Sequence, residues 1–179
     1  IALAHEIFNN YFTLLVHNNP FNRRITKFIL INSFDTKKKR KNISIVLSQL
    51  NDVNIFTTNN NCGYIHFSHD RIEEYLLAEF LYASANRNSI LERAIQIASE
   101  DQIFCFAIQN YFKRCINEQL FNQILDNVDN WYALNSNMFP SLLIGGLGDI
   151  TQDTLIQLFS CLKFQQKAIE RFMQILIEG

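Results

Sequence analysis

Between Val53 and Ala83 the spacing of apolar residues changes from two to helical with almost no spacer. "VNIFTTNNNCGYIHF" holds two β-prone runs, Val53 to Thr58 and Tyr64 to Phe67, around an Asn-rich turn ending in Gly63. Tyr64, His66 and Ser68 alternate with Ile65 and Phe67, so one face of the second run suits a core and the other suits solvent. At Ser68-His69-Asp70 the pattern switches, and "DRIEEYLLAEFLYA" places Ile72, Leu76 and Phe80, with Leu77 and Ala83 beside them, on one helical stripe. A lone two-stranded hairpin is marginal in water, so helices must cover it. That requirement restricts the chain to a mostly helical fold built against one small β element.

The flanking sequence supplies the helices. Leu3, Ile7, Phe8, Phe12, Leu15 and Val16 recur at helical spacing over residues 2–17, and "HNNP" ends the pattern. A second helix is expected from about Asn22 to Ser33, burying Ile25, Phe28, Ile29 and Ile31. Asp35 or Thr36 caps a third, whose inward positions are Ile43, Val46, Leu47 and Leu50. Helix, helix, hairpin is the outline of a winged-helix module.

Beyond Ser89 the chain reads as helical throughout, over about 89–99, 102–116, 118–128, 131–145, 152–163 and 164–177. Short breaks between such helices imply antiparallel neighbours, as in a bundle or α-solenoid. No regular repeat period is found. The expected organisation is a helix from a preceding helical segment (1–19), a winged-helix domain (20–86) and a helical array (87–179).

With 48% hydrophobic and 18% charged residues among 179, the chain has the composition of a globular protein. A formal net charge of −1 gives no global steering toward nucleic acid or anionic lipid. No apolar run reaches the ~20 residues of a membrane span. The N-terminal "IALAHEIFNN" has no basic segment, carries Glu6 and begins inside a helical pattern without Met, which reads as a piece of a larger protein rather than a signal peptide. Cys62, Cys105, Cys115 and Cys161 lie far apart, with no zinc spacing, and the last three fall among apolar residues. Reduced thiols in a cytoplasmic protein are expected.

Motifs for chemistry are few. GxxxxGK[ST], GxSxG, HExxH and EF-hand patterns are absent, so neither catalysis nor a bound metal is expected of this chain alone. Gly145, Gly146 and Gly148 in "IGGLGDI" do not fit a phosphate loop and read as a helix C-cap and turn. Glu73 and Glu74, and the acids Glu118, Asp126 and Asp129, sit at helix starts or on exposed faces. Lys37, Lys38, Lys39, Arg40 and Lys41 form the densest charge, read first as a solvated loop at the entry to the third helix. In a winged helix the same run could bind DNA phosphates, with Asn42, Ser44 and Gln49 following on the recognition helix.

His69 stands apart from the other histidines because strand and helix meet there. Asp70 with Glu73 fits the acidic form of a capping box, Ser68 adds a second polar cap, and a helix N-terminus favours an anion. The residues alone leave two readings open: His69 is a turn residue beside a cap, or it presents a ring nitrogen to a phosphate.

"YIHFSHDRIEEYLLAEFLYA" resembles the end of the winged-helix domain of STAND-class NTPases, the NACHT and AP-ATPase proteins. There a strand closes on an aromatic-x-His-Asp signature and runs into a helix with a "REYLLA"-like core. Phe67 would supply the aromatic, and Ser68 stands where the plant immune receptors have Met. The resemblance covers roughly residues 20–86 and implies that His69 contacts the β-phosphate of ADP, while Asp70 holds the turn. It implies a nucleotide-binding domain in the same polypeptide, which would bind the ADP or ATP, and a partner of unknown kind at the helical array. The expected function is then that of a regulatory fragment of a signalling or defence ATPase with no membrane partner. The alternative is a winged-helix DNA-binding regulator with a helical ligand or dimerisation domain, and nucleic acid is a partner only there.

Overall fold

The computed structural model describes residues 2–17, 25–58, 63–84, 88–117, 123–124, 126–148, 170, 173–175 and 177. The fold is mostly α, with one antiparallel hairpin and a helical bundle. It divides into two compact units, Ile1–Phe80 and Leu81–Gly179.

In the first unit, α1 (Ala2–His17), α2 (Lys27–Asn32) and α3 (Lys37–Asp52) precede β1 (Phe56–Thr58) and β2 (Ile65–Phe67). Phe56 pairs with Phe67, Thr57 with His66 and Thr58 with Ile65. A single bridge, Thr26 to Tyr64, adds the segment before α2 to the free side of β2. Ile65 N–H donates to Ile25 C=O at 2.8 Å, and Lys27 N–H to Gly63 C=O at 3.0 Å. Helix, bridge, helix, helix and hairpin follow in the order of a winged helix.

The core is aromatic. Phe8, Tyr11 and Phe12 of α1 meet Phe56 and Phe67 of the hairpin with ring centroids 5.4–5.9 Å apart. The alternation expected of β2 is present: Ile65 and Phe67 are buried and His66 is exposed. α1 packs on α2 and α3, and its rings meet Phe56 and Phe67 of the hairpin.

α2 is shorter than its apolar pattern suggests. Ile25 is buried as expected, but as part of the extended segment that meets β2. Thr26 then caps the helix, its hydroxyl accepting from Ile29 N–H at 3.1 Å. Only Leu30 of this helix is buried, while Phe28 is 76% exposed and Ile29 43%, against expectation. Residues 22–24 of the expected helix lie outside the described residues.

α3 buries Ile43, Leu47 and Leu50, with Val46 half-buried. It ends in a Schellman motif: Asn54 N–H donates to Asn51 C=O at 3.0 Å, and Ile55 N–H to Leu50 C=O at 2.9 Å. Asn54 occupies the left-handed position, φ 56°. An L-residue with a Cβ pays about 1–2 kcal/mol there unless a short polar side chain eases it. Asn54→Ala should therefore lower the urea unfolding free energy by about 1 kcal/mol, with Asn54→Gly showing no loss. Equal losses for both would mean that the Asn side chain, not the backbone, holds this turn.

α4 (Asp70–Ala83) crosses from the first unit into the second. Its buried positions are Glu73, Leu77, Ala78, Phe80 and Leu81; Ile72 and Leu76 are only half-buried and Ala83 is exposed. The stripe is rotated by about one residue from the expected one.

The second unit contains α5 (Asn88–Ile97), α6 (Gln102–Asn117), α7 (Val128–Leu134) and α8 (Phe139–Leu147). Asp101 caps α6, its carboxylate accepting from Ile103 N–H at 2.9 Å. The single helix expected over 131–145 is two. Asn135 Oδ1 accepts from Met138 N–H at 3.3 Å in the intervening turn, and Pro140 sits in the first turn of α8, where its missing N–H costs nothing. Gly145 and Gly146 lie inside α8 rather than in a cap, and α8 packs directly on α6 there; Gly148 is the C-cap. Cys115 is buried, and burial pushes the half-buried Cys105 thiol up, away from the activated range of nucleophilic cysteines. Cys62, Cys161 and nearly all of 152–177 lie outside the described residues.

Candidate functional site at the hairpin–helix joint

The joint is anchored from both sides by backbone bonds. Ser68 N–H donates to Ile55 C=O at 3.0 Å, extending the hairpin ladder one step past β2. His69 C=O then accepts from Ile72 N–H at 3.0 Å and from Glu73 N–H at 3.3 Å, which opens α4. His69 is thus the N-cap residue, with Asp70 the first residue inside the helix. Its side chain is exposed and makes no hydrogen bond among the described residues. A ring carried on a backbone fixed in this way can meet a group approaching from outside with little loss of backbone freedom.

The cap residues fall differently from expectation. A capping box needs its acid three residues after the N-cap, and that place belongs to Ile72. Glu73, one residue later, turns inward and is only 2% exposed. Ser68 is not a side-chain cap either: its hydroxyl is shut off from solvent and has no hydrogen-bond partner among the described residues. Asp70 is exposed beside the first-turn N–H groups, where a carboxylate favours the helix dipole through space. The slip of one residue arises because a strand residue's ladder bond, rather than a polar side chain, determines where the helix starts.

The basic run is not a loop. Lys37 to Lys41 form the first turns of α3 behind the N-cap Thr36, whose hydroxyl accepts from Lys39 N–H at 3.2 Å. Cations at a helix N-terminus oppose the dipole. Lys39 meets this with an ion pair to Glu6 and a position 5.6 Å from the Phe34 ring centroid, and Arg40 Nε donates to Phe34 C=O at 2.7 Å. Lys37, Lys38 and Lys41 remain exposed, without ion pairs among the described residues. Asn42 and Gln49 are exposed on the same helix and Ser44 is half-buried, but so is Ile45 exposed, at 51%.

His69 and the basic turn both belong to the first unit. Among the described residues no three His, Cys, Asp or Glu side chains come together as metal ligands, and no helix is long and apolar enough to cross a membrane. Sequence reasoning missed the surface exposure of Phe28 and Ile29. The available signal was Thr26, a strong N-cap that shortens α2 to less than two turns and so limits what it can bury. Comparison with family models, curated proteins and solved structures finds no match.

Proposed function

We propose that the chain is the regulatory part of a STAND-class signalling ATPase acting in the cytoplasm. The winged-helix unit holds the off state by presenting His69 to the β-phosphate of ADP, which is bound by a nucleotide-binding domain of the same polypeptide. The helical unit receives a partner, and partner binding together with ADP/ATP exchange shifts a two-state equilibrium. The chain contributes contacts and not catalysis. The observation that carries this reading is the exposed ring of His69, without a hydrogen-bond partner among the described residues, on a joint whose backbone is bonded on both sides. The resemblance of residues 64–83 supplies its ligand. Exposed Phe28, Ile29 and Ile45 suit contact with protein better than contact with phosphates.

The test uses the full-length gene product. Its coding sequence ahead of Ile1 is expected to contain GxxxxGK[ST]. Purified with bound nucleotide, the His69→Ala protein should release ADP at least about tenfold faster than wild type, since one charge-assisted phosphate contact is worth about 1.5–3 kcal/mol. Unchanged release would refute the clamp.

A second reading has one observation in its favour: Lys37, Lys38 and Lys41 project from the first turns of the helix that reads DNA in winged-helix regulators. The sequence between the strands, 59–63, contains no Lys or Arg, so a wing contact to the backbone would lack its usual charge. If DNA is the partner, replacing these three lysines by Gln should flatten the log–log salt dependence of duplex binding by about 3.

A further inference from the structure

We propose that the groove between α3 and the inner face of the hairpin is a binding site for a small hydroxy- or oxo-carboxylate. The cavity is about 480 Å³, within the size range of small-molecule sites. Ser48 and Asn51 line it from α3, Thr58 from β1 and Lys27 from the start of α2, over a floor that includes Leu47 and Ile65. Thr58 and Ile65 are cross-strand partners on the same sheet face as the Phe56–Phe67 pair, so the groove continues the core side of the hairpin outward.

Charge selects the ligand. Lys27 is half-buried and has no ion pair or side-chain hydrogen bond among the described residues, and no Asp or Glu lines the groove. An anion entering the groove therefore meets a cation with no competing carboxylate, and a charge-assisted hydrogen bond to it is stronger than a neutral one. One cation matches a monoanion; a phosphate dianion would lack a second. The hydroxyls of Ser48 and Thr58 and the carboxamide of Asn51 donate and accept, which suits a ligand body carrying hydroxyl or carbonyl oxygen. The floor of Leu47 and Ile65 accommodates its few carbons. This site is independent of the nucleotide reading and stands or falls without it.

Sodium lactate is the probe, titrated into the uniformly ¹⁵N-labelled chain at constant ionic strength, with lactamide as its neutral counterpart and phosphate as a second anion. Saturable amide shifts confined to residues 47–51, 56–58, 65 and 27 are expected, with a Kd on the order of 1 mM. Lactamide and phosphate should give none at that concentration. Lys27→Gln, at a helix end where no packing depends on the ammonium, should weaken lactate about tenfold while leaving the spectrum otherwise superimposable. Lys27→Arg should retain binding. Absence of saturation, equal shifts with lactamide or phosphate, or undiminished binding in Lys27→Gln would each overturn the assignment.

Discussion

Phe67→Ala is expected to remove about 3–5 kcal/mol from the stability of the first unit, the range for truncating a buried Phe. The ring is 4% exposed and lies 4.4 Å from Phe56, 5.4 Å from Tyr11, 5.7 Å from Phe12 and 5.9 Å from Phe8, centroid to centroid. It is stacked nearly parallel on Phe12, at 7°. The bond from Ser68 N–H to Ile55 C=O makes that flanking pair hydrogen-bonded, so Phe56 and Phe67 form the non-hydrogen-bonded pair in which side chains approach most closely. Alanine would open a void walled by four rigid rings, which cannot collapse as aliphatic neighbours might. Strands of three residues have too few ladder bonds to keep the hairpin in place without the rings. Since domains hold only about 5–15 kcal/mol in all, the unit should be near its limit at room temperature. Urea unfolding followed by amide signals of residues 2–80 measures this. A loss below about 1 kcal/mol would mean that the ring cluster is not what holds α1 to the hairpin.

Gly146→Ala and Gly145→Ala should act in opposite directions although the glycines are adjacent in α8. A Cβ on Gly146 would come within 2.7 Å of Phe112 Cβ and 3.1 Å of Gln109 C=O. Neither can yield: one is backbone, and Phe112 is fully buried between Tyr111, Trp131 and Phe139. α8 would have to back away from α6, and such overpacking costs about 1–3 kcal/mol, outweighing the gain of about 1 kcal/mol from helix propensity. The three atoms nearest a Cβ on Gly145 all belong to the Gln109 side chain, which can swing aside at the loss of a weak contact to Cys105 Sγ at 3.7 Å. There the propensity gain should prevail, about 0.5–1 kcal/mol in favour of Ala. Trp131 is the chain's sole tryptophan and belongs to the same cluster, so its fluorescence reports both transitions. Destabilisation by both variants would show that Gln109 is held in place.

The elements that periodicity located were those with strong local signals. Alternation in residues 64–68 located β2 and its buried face, and Thr36 marked the start of α3, because a pleat and an N-cap are each decided within a few residues. Helical spacing placed α1, α5 and α6 within about two residues of their observed ends. The division of 131–145 into α7 and α8 was present locally as Asn135 and Pro140, but an uninterrupted apolar pattern outweighed it. At the candidate site, the sequence identified His69 as the joint between strand and helix. It could not show that the Ser68 ladder bond makes His69 the N-cap and turns Glu73 inward.

What the sequence determined by itself is therefore the class of fold, the single hairpin with its inner face, and the position of the joint. Each follows from local periodicity and capping, which act over one or two turns of chain. Tertiary structure alone decided that α1 belongs with the hairpin, that Phe28 and Ile29 face outward, and that Gly145 and Gly146 are packing residues. These depend on which apolar surfaces meet, and segments far apart in sequence compete for the same partner face. Phe8, Tyr11 and Phe12 win the hairpin because a sixteen-residue helix can set three rings against Phe56 and Phe67. α2, six residues long and tied at Thr26 to the edge of β2, can turn only Leu30 into the core.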